Sequence, residues 1–132
     1  MSECEAYAKT HGFYEHIRFV GWRKDIPQLM RASNLLLNTS SWEGLPQSFP
    51  QALLSGIPIV ATHIDGASEI IVEQVNGSLC PPDSVNVFVK ETLNWLSKEK
   101  IEPKQLTANI EPFLNTYTTQ QIDELYLEIM RE

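Results

Sequence analysis

The sequence lacks the features that mark membrane-spanning, secreted and metal-binding chains. No apolar run approaches the ~18 residues that a transmembrane helix requires, and no charged-then-apolar leader opens the chain. Cysteine is scarce, since Cys4 and Cys80 lie far apart and outside any metal-ligand spacing. The two thiols could form one disulfide, but the pattern favours a reduced intracellular protein. We therefore expect a soluble, cytoplasmic chain.

Positive charge is also scarce. Ten Lys and Arg residues stand against 17 Asp and Glu residues, which gives a formal net charge of −7 at pH 7. A general nucleic-acid binder needs a basic face, so we expect no nucleic-acid partner. A phosphorylated small molecule stays open, because the amide groups at a helix N-terminus bind anions whatever the net charge. The length of 132 residues, 42% of them hydrophobic, suits one ordinary domain with a real core.

Short apolar runs alternate with helical patterns along the chain. The apolar runs predict strands at 16–21, 34–39, 57–62 and 78–80. The helical patterns lie at 3–10, 26–33, 47–55, 67–74, 84–97 and near 104–115, with a last one from about 119. This order predicts an α/β fold with a parallel sheet and helices on both faces. We expect residues 1–97 to form the sheet domain and residues 98–132 to be a C-terminal helical segment that packs on it.

Periodicity and end signals predict how three of the helices are placed. In 47–55 the expected buried stripe is Phe49, Ala52, Leu53 and Gly56, with Gln47 and Gln51 on the open side. In 84–97 one side of the helix is expected to carry Val85, Phe88, Val89, Thr92, Leu93 and Leu96. Asp25 is placed to cap the 26–33 helix. Asn76-Gly77 is expected to stop the 67–74 helix.

Three loops, 21–25, 39–46 and 62–67, follow predicted strands and are candidates for ligand binding. In parallel α/β sheets, ligands bind at the carboxyl ends of the strands. In the second loop Glu43 precedes Gly44, which lets the backbone approach a ligand closely, and the next helix offers unpaired N–H groups. By residue type alone, Glu43 could equally be a surface acid that complements the helix dipole.

Several landmarks recur in a fixed order over residues 16 to about 97. They are "FVG", "LLLNTSSWEG", "GIPIVAT", "EII", "NG" and "PPD". In this order and spacing they resemble the C-terminal, donor-binding domain of family-4 retaining glycosyltransferases, which have the GT-B architecture. The resemblance implies a partial Rossmann-like sheet, an incomplete version of that domain. It also implies an enzyme that moves a sugar from a nucleotide sugar, with UDP favoured, to an acceptor hydroxyl with retained configuration, plausibly in polysaccharide or lipopolysaccharide biosynthesis.

The resemblance assigns roles to residues of the second loop and helix. Glu43 matches the first of the family's two glutamates, which reaches hydroxyls of the transferred sugar, and is the expected catalytic residue. The backbone amides of Gly44, Leu45 and Gln47 are expected to contact the sugar and the distal phosphate. Gln51 occupies the place of the second glutamate, which holds the ribose. An amide still accepts and donates hydrogen bonds there, but without the strength of a charged group.

The resemblance also assigns donor-binding roles to three residues outside that helix. Trp22 and Arg23 follow the "FVG" segment, where the family contacts the base, and Arg23 is expected to stack on the base or bracket it. Ser40 takes the place of the family's loop serine and is expected to shape the loop more than to touch substrate. No "D-x-D" carboxylate pair occurs near the site. No metal and no other cofactor is therefore implied, and the nucleotide sugar is a substrate.

The family has parts that this sequence does not match. Its donor domain begins with two further strand–helix units, whose arginine and lysine clamp the diphosphate, and an amino-terminal domain binds the sugar or lipid-linked acceptor. None of Arg18, Arg23, Lys24 and Arg31 fits the clamp. We expect the chain to be inactive alone, with Met1 not necessarily a natural start. A peripheral position at the inner membrane face is one option for the longer parent.

The missing units bear on the sheet as well. In the family's strand order they lie between the 16–21 and 34–39 strands, so we expect an exposed apolar sheet edge and self-association through it.

Two other functions stay open. One is a noncatalytic nucleotide-sugar-binding module or half of a split enzyme, and the other is an epimerase or phosphorylase of the same architecture.

Overall fold

A three-stranded parallel sheet organises the chain. The computed structural model describes residues 2–44, 46–99 and 101–107. Within them the strand order is β1-β2-β3, with β1 at Leu36–Asn38, β2 at Ile59–Thr62 and β3 at Gly77–Cys80. Both neighbouring pairs are parallel, so the carboxyl ends of the strands meet at one edge. The predicted α/β class with a parallel sheet is confirmed, although β1 is shorter than the 34–39 run.

Helices cover both faces of this sheet. Their bounds in the described residues are α1 Glu3–Thr10, α2 Ile26–Arg31, α3 Ser48–Leu54, α4 Ala67–Ile70, α5 Val85–Ser97 and α6 Pro103–Thr107. Side chains alternate along a strand, so Ile59 and Ala61 of β2 face one way while Val60 faces the other. Ile59 and Ala61 pack with residues of α3. Val60 packs with Cys80 of β3 and with Trp95 of α5.

The main core lies between α3 and the sheet. Phe49, Ala52 and Leu53 of α3 are fully buried, as the helical stripe predicts. Burying a side chain such as Phe49 contributes about 1.5–3 kcal/mol. Leu106 of α6 is also fully buried in this core, which docks α6 on α3. The division at residue 97 stays a prediction, and the helix expected from about 119 lies outside the described residues.

The side of α5 that carries the predicted apolar stripe is largely exposed. Four residues of that side are 50–72% exposed: Val85, Val89, Leu93 and Leu96. The buried residue of the helix is Trp95, whose indole nitrogen donates to Ser78 Oγ at 3.0 Å. Helix α5 contacts β2 and β3, and the described residues leave these four side chains largely uncovered.

The strand predicted at 16–21 is also not formed. Residues Tyr14–His16 make a short 3-10 helix, and Ile17 then takes an extended conformation without pairing. No strand in the described part of the chain lies beside this segment to share backbone hydrogen bonds. An extended apolar run becomes a strand only when a neighbour satisfies its N–H and C=O groups.

The helix predicted at 67–74 ends after one turn, at Ile70. The reason is Asn76, whose fully buried side chain replaces the helical bonding pattern. Its Oδ1 accepts from the Val72 N–H at 2.8 Å, and its Nδ2 donates to the Ile70 carbonyl at 3.1 Å. The chain therefore leaves the helix at Ile71, well before Asn76-Gly77.

The two edges of the sheet differ. On the outer side of β3, the Glu73 carboxylate accepts from the Leu79 N–H at 2.9 Å, and the Gln74 N–H donates to the Gly77 carbonyl at 2.9 Å. This edge is therefore blocked by its own chain. No strand of the described residues pairs with the other side of β1, where Leu37 is 49% exposed.

Both cysteines are free thiols, which answers the disulfide question. Cys4 is exposed and Cys80 is buried at the end of β3. Burial raises the pKa of the Cys80 thiol, and the nearby carboxylates of Glu91 and Glu73 raise it further. Cys80 is thus a packing residue of low reactivity.

Candidate functional site

The carboxyl edge of the sheet carries a cavity of about 300 Å³. Its walls come from the ends of all three strands and from the start of α5: Thr39, Ser41, Thr62, Pro81, Pro82, Asp83, Ser84, Val85, Phe88 and Val89. The 39–46 loop therefore begins at this edge, as predicted. Besides the 39–46 loop and the end of β2, the 81–84 loop after β3 lines the cavity. The predicted 21–25 loop follows no strand and lines no part of this cavity.

Glu43 is tied to the end of β1 by hydrogen bonds. Its Oε1 accepts a short hydrogen bond from Ser40 Oγ and a longer one, at 3.4 Å, from Asn38 Nδ2. The Ser40 N–H in turn donates to Asn38 Oδ1 at 3.0 Å. Glu43 is half-buried, so its carboxylate has a defined position and still faces solvent. This arrangement departs from a freely solvated acid that only complements a helix dipole.

The segment after Glu43 leads into α3. Gly44 is exposed, and a Cβ built on it meets no atom within 4 Å, so its backbone is open to approach. Gln47 precedes the first turn without capping it through its side chain, and Gln51 lies exposed one turn later. Leu45 lies outside the described residues. The positions of Gly44, Gln47 and Gln51 are compatible with donor contacts, which stay predictions.

Trp22 and Arg23 form a separate group. The Trp22 side chain is 82% exposed, and Lys24 Nζ lies 5.7 Å from its ring centroid. Arg23 Nε donates to Asp25 Oδ1 at 2.7 Å, and a second, short contact joins the same two side chains. The hydrogen bond to Asp25 raises the pKa of Arg23, and the same bond lowers the pKa of Asp25.

The pairing of Arg23 with Asp25 corrects one prediction and limits another. The Asp25 carboxylate makes no capping bond to α2, because it is engaged by Arg23. Within residues 2–44, 46–99 and 101–107, no hydrogen bond or ion pair joins Trp22 or Arg23 to the loop of Glu43. Their assignment to the base stays a prediction.

The sequence reasoning missed two residues of this region. Asn38 ends an otherwise apolar strand and directs its amide to Glu43 and Ser40. Its signal was a polar residue that closes the run "LLLN" two positions before the loop serine. Trp42 directly precedes Glu43, and its side chain is 82% exposed. So large an apolar side chain is usually mostly buried.

The described residues offer neither a grouped set of metal ligands nor a membrane-spanning helix. No three His, Cys, Asp or Glu side chains among them are grouped closely enough to hold a metal ion. None of the helices in these ranges is long and apolar enough to cross a membrane.

A parallel sheet with helices on both faces and a cavity at its carboxyl edge is a Rossmann-like arrangement. The chain belongs to the family described as Glycosyl transferases group 1, whose profile matches residues 1–98. This confirms the resemblance to the GT-B, family-4-like glycosyltransferases that the motifs indicate.

Two curated relatives are similar over most of the chain. The lipopolysaccharide 1,6-galactosyltransferase of Escherichia coli K12 is 30% identical over 136 residues, which cover 98% of this chain and 37% of that protein. The UDP-Gal:alpha-D-GlcNAc-diphosphoundecaprenol alpha-1,3-galactosyltransferase of Escherichia coli is 28% identical over 100 residues, which cover 70% of this chain and 26% of the relative. The chain thus spans between about a quarter and somewhat more than a third of the length of these relatives.

Solved structures agree. Anabaena Alr3699/HepE in complex with UDP-glucose matches with a TM-score of 0.75 and 28% identity, over 94% of this chain and 36% of that one. Sucrose-phosphate synthase from Thermosynechococcus elongatus matches with a TM-score of 0.87 over 97% of this chain and 34% of that one. At 18% identity the second match shows the fold alone.

Proposed function

We propose that this chain is the donor-binding part of a glycosyltransferase that transfers a hexose from a UDP-sugar to an acceptor hydroxyl with retained configuration. The observation that carries the proposal is the anchored Glu43 carboxylate at the carboxyl edge, just before α3. The family membership and a solved relative in complex with UDP-glucose support it. Relatives named for lipopolysaccharide and polysaccharide synthesis favour that setting.

In this proposal each predicted residue has one task. Glu43 accepts hydrogen bonds from hydroxyls of the transferred sugar. The amides of Gly44, Leu45 and Gln47 contact the sugar and the distal phosphate, where fixed N–H dipoles stabilise the charge that develops on the leaving diphosphate. Gln51 binds the ribose through its amide.

The remaining predicted residues serve the base and the loop. Trp22 and Arg23 contact the base, and Asp25 keeps the Arg23 guanidinium in one orientation. Ser40 shapes the loop through its bond to Glu43. The proposed reaction uses no metal and no other cofactor.

The proposal assigns the rest of the reaction to a longer parent. The chain alone is inactive in this view, because the diphosphate clamp and the acceptor site belong to regions of the relatives that it does not span. A relative named for a diphosphoundecaprenol-linked acceptor favours a lipid-linked acceptor and a parent at the inner membrane face.

Replacing Glu43 tests the site. In saturation-transfer NMR with UDP-glucose and UDP-galactose, Glu43→Ala should lose the sugar-proton signals and keep those of uridine, because only the sugar contact is removed. We expect at least about tenfold weaker UDP-sugar binding, the size of a lost charged hydrogen bond, with UDP itself unaffected. Gln51→Ala should weaken UDP and UDP-sugar alike, since it removes a ribose contact.

The exposed Glu15 provides the matched control, because Glu15→Ala removes the same charge far from the loop in sequence. Unchanged sugar signals in Glu43→Ala would refute the role of Glu43. If the unmodified chain transfers no saturation to UDP or to either UDP-sugar, the donor-binding proposal fails.

We also propose that the chain self-associates through the free side of β1, or pairs there with the other half of a split enzyme. Leu37 on β1 and four apolar residues of α5 are exposed, while the outer edge of β3 is blocked. An open edge next to apolar surface favours strand pairing with another chain.

Light scattering over a wide concentration range tests the self-association. The mass should rise with concentration, and Leu37→Lys should hold the chain monomeric because a charge on the edge opposes pairing. Leu54→Lys is the control, since Leu54 is similarly exposed, at 58% against 49%, on a different surface. A constant monomer mass for the unmodified chain would contradict the proposal.

A further inference from the structure

The two carboxylate oxygens of Glu43 are in different environments. Ser40 Oγ and Asn38 Nδ2 both donate to Oε1. No hydrogen bond from the described residues reaches Oε2. An ionised carboxylate accepts several hydrogen bonds across its two oxygens, so Oε2 keeps its full accepting capacity for a ligand.

The donors that hold Oε1 are themselves fixed to the sheet. Asn38 is the last residue of β1 and pairs in register with the fully buried Ala61 of β2. Its Oδ1 accepts from the Ser40 N–H at 3.0 Å, so one amide side chain orients both the serine and the glutamate. The position of the carboxylate is thus set by a strand and not by a loop alone.

We propose that Asn38 and Ser40 are positioning residues, which form a clamp on Oε1 of Glu43 and leave Oε2 to accept from a sugar hydroxyl. The inference rests on the proposed function, in which Glu43 contacts the sugar of the donor. A long acidic side chain loses rotamer freedom when it binds a ligand. A clamp that orders the side chain beforehand removes that cost from sugar binding.

The effect of the clamp on Glu43 can be tested without disturbing the turn that Asn38 and Ser40 close. The Ser40 N–H to Asn38 Oδ1 bond closes the turn whether or not Glu43 is present. The Nδ2 donor serves Glu43 alone among the described residues. Asn38→Asp keeps the oxygen that closes the turn and replaces the donor by an anionic oxygen that repels Glu43. This isosteric change therefore tests the clamp with the turn intact.

The readout is the ratio of UDP-glucose affinity to UDP affinity, measured by NMR titration of the whole chain. Asn38→Asp should lower this ratio about tenfold with UDP affinity unchanged, because only the sugar depends on Oε2. Ser40→Ala should lower it in the same direction, and Ser40→Thr should restore it by returning the hydroxyl. Asn34→Asp is the control, an exposed change of the same chemistry at the other end of β1.

A second readout needs no ligand. The side-chain amide resonances of Asn38 should shift in Glu43→Ala and stay in place in Glu15→Ala. Unmoved amide resonances, or an unchanged affinity ratio in Asn38→Asp, would overturn the clamp. If the unmodified chain binds no UDP-sugar while the amide resonances respond, the hydrogen bond stands, but the proposed function and the sugar-facing role of Oε2 are both refuted.

Discussion

Gly77→Ala is expected to lower the free energy of unfolding sharply. A Cβ at Gly77 would lie 2.3 Å from the Ile59 carbonyl oxygen and 3.1 Å from Ile71 Cγ2. Ile59 and Gly77 are register partners in the β2–β3 pair, so the clashing oxygen belongs to the sheet itself. Relief requires separating two buried strands, which we expect to cost more than about 4 kcal/mol of a total stability of about 5–15 kcal/mol.

Denaturant unfolding followed by circular dichroism measures this loss. Gly44→Ala is the matched control, because its Cβ meets nothing within 4 Å, and its free energy of unfolding should stay within about 0.5 kcal/mol of the unmodified chain. A Gly77→Ala chain that unfolds at the same denaturant concentration as the control would contradict the close strand approach.

Asn76→Asp is expected to cost about 3–5 kcal/mol near neutral pH, the size of an uncompensated buried charge. The Asn76 side chain is fully buried, and its Nδ2 donates to the carbonyls of Ile70 and Leu106 at 3.1 and 3.4 Å. The substitution puts an anionic oxygen in front of both carbonyls. Asn76→Ala should cost less, about 2–3 kcal/mol, because it leaves groups such as the Val72 N–H unpaired without adding charge.

The pH dependence separates the two variants. Burial against carbonyl oxygens raises the pKa of the introduced carboxyl in the folded state above its unfolded value of about 3.9. The folded state then binds more protons between these two values, so the stability of Asn76→Asp falls as pH rises through that window. Below about pH 4 its penalty is smallest.

Denaturant unfolding at several pH values measures this dependence. Asn76→Ala and the exposed Asn34→Asp, each measured against the unmodified chain, should show no such trend. A flat difference between Asn76→Asp and the unmodified chain would show that the side chain escapes to solvent.

These two neighbours illustrate what the sequence can and cannot predict. Asn76-Gly77 predicts that a helix stops, and a helix does stop upstream. The actual requirements come from Ile59 and Leu106, which are distant in sequence and reach these residues only in the folded chain. Local patterns predict a turn, whereas the loss of stability on substituting its residues depends on their neighbours in the folded chain.

Periodicity has a similar limit. It predicts correctly that Phe49, Ala52 and Leu53 share a buried face, since α3 lies on the sheet. It groups Val89 and Leu93 equally well, yet those residues are half exposed or more. A helical repeat states which side chains share a face and does not state what covers that face.

In the candidate site too, some residues could be predicted from the sequence and one could not. Glu43 and Ser40 could be singled out through the family motif, which fixes their spacing within one loop. Asn38 could not, because an asparagine that ends a strand has many roles. Its role depends on the loop turning back so that Glu43 and Ser40 meet its amide.

The self-blocked edge of β3 sets an upper limit on assembly. In the proposed assembly two copies join through β1 about a two-fold axis, so each contributes the one open sheet edge of its described residues and presents its blocked edge outward. No third copy then finds free N–H and C=O groups to extend the sheet. Assembly by this route is self-terminating, so it yields closed pairs and not growing fibrils.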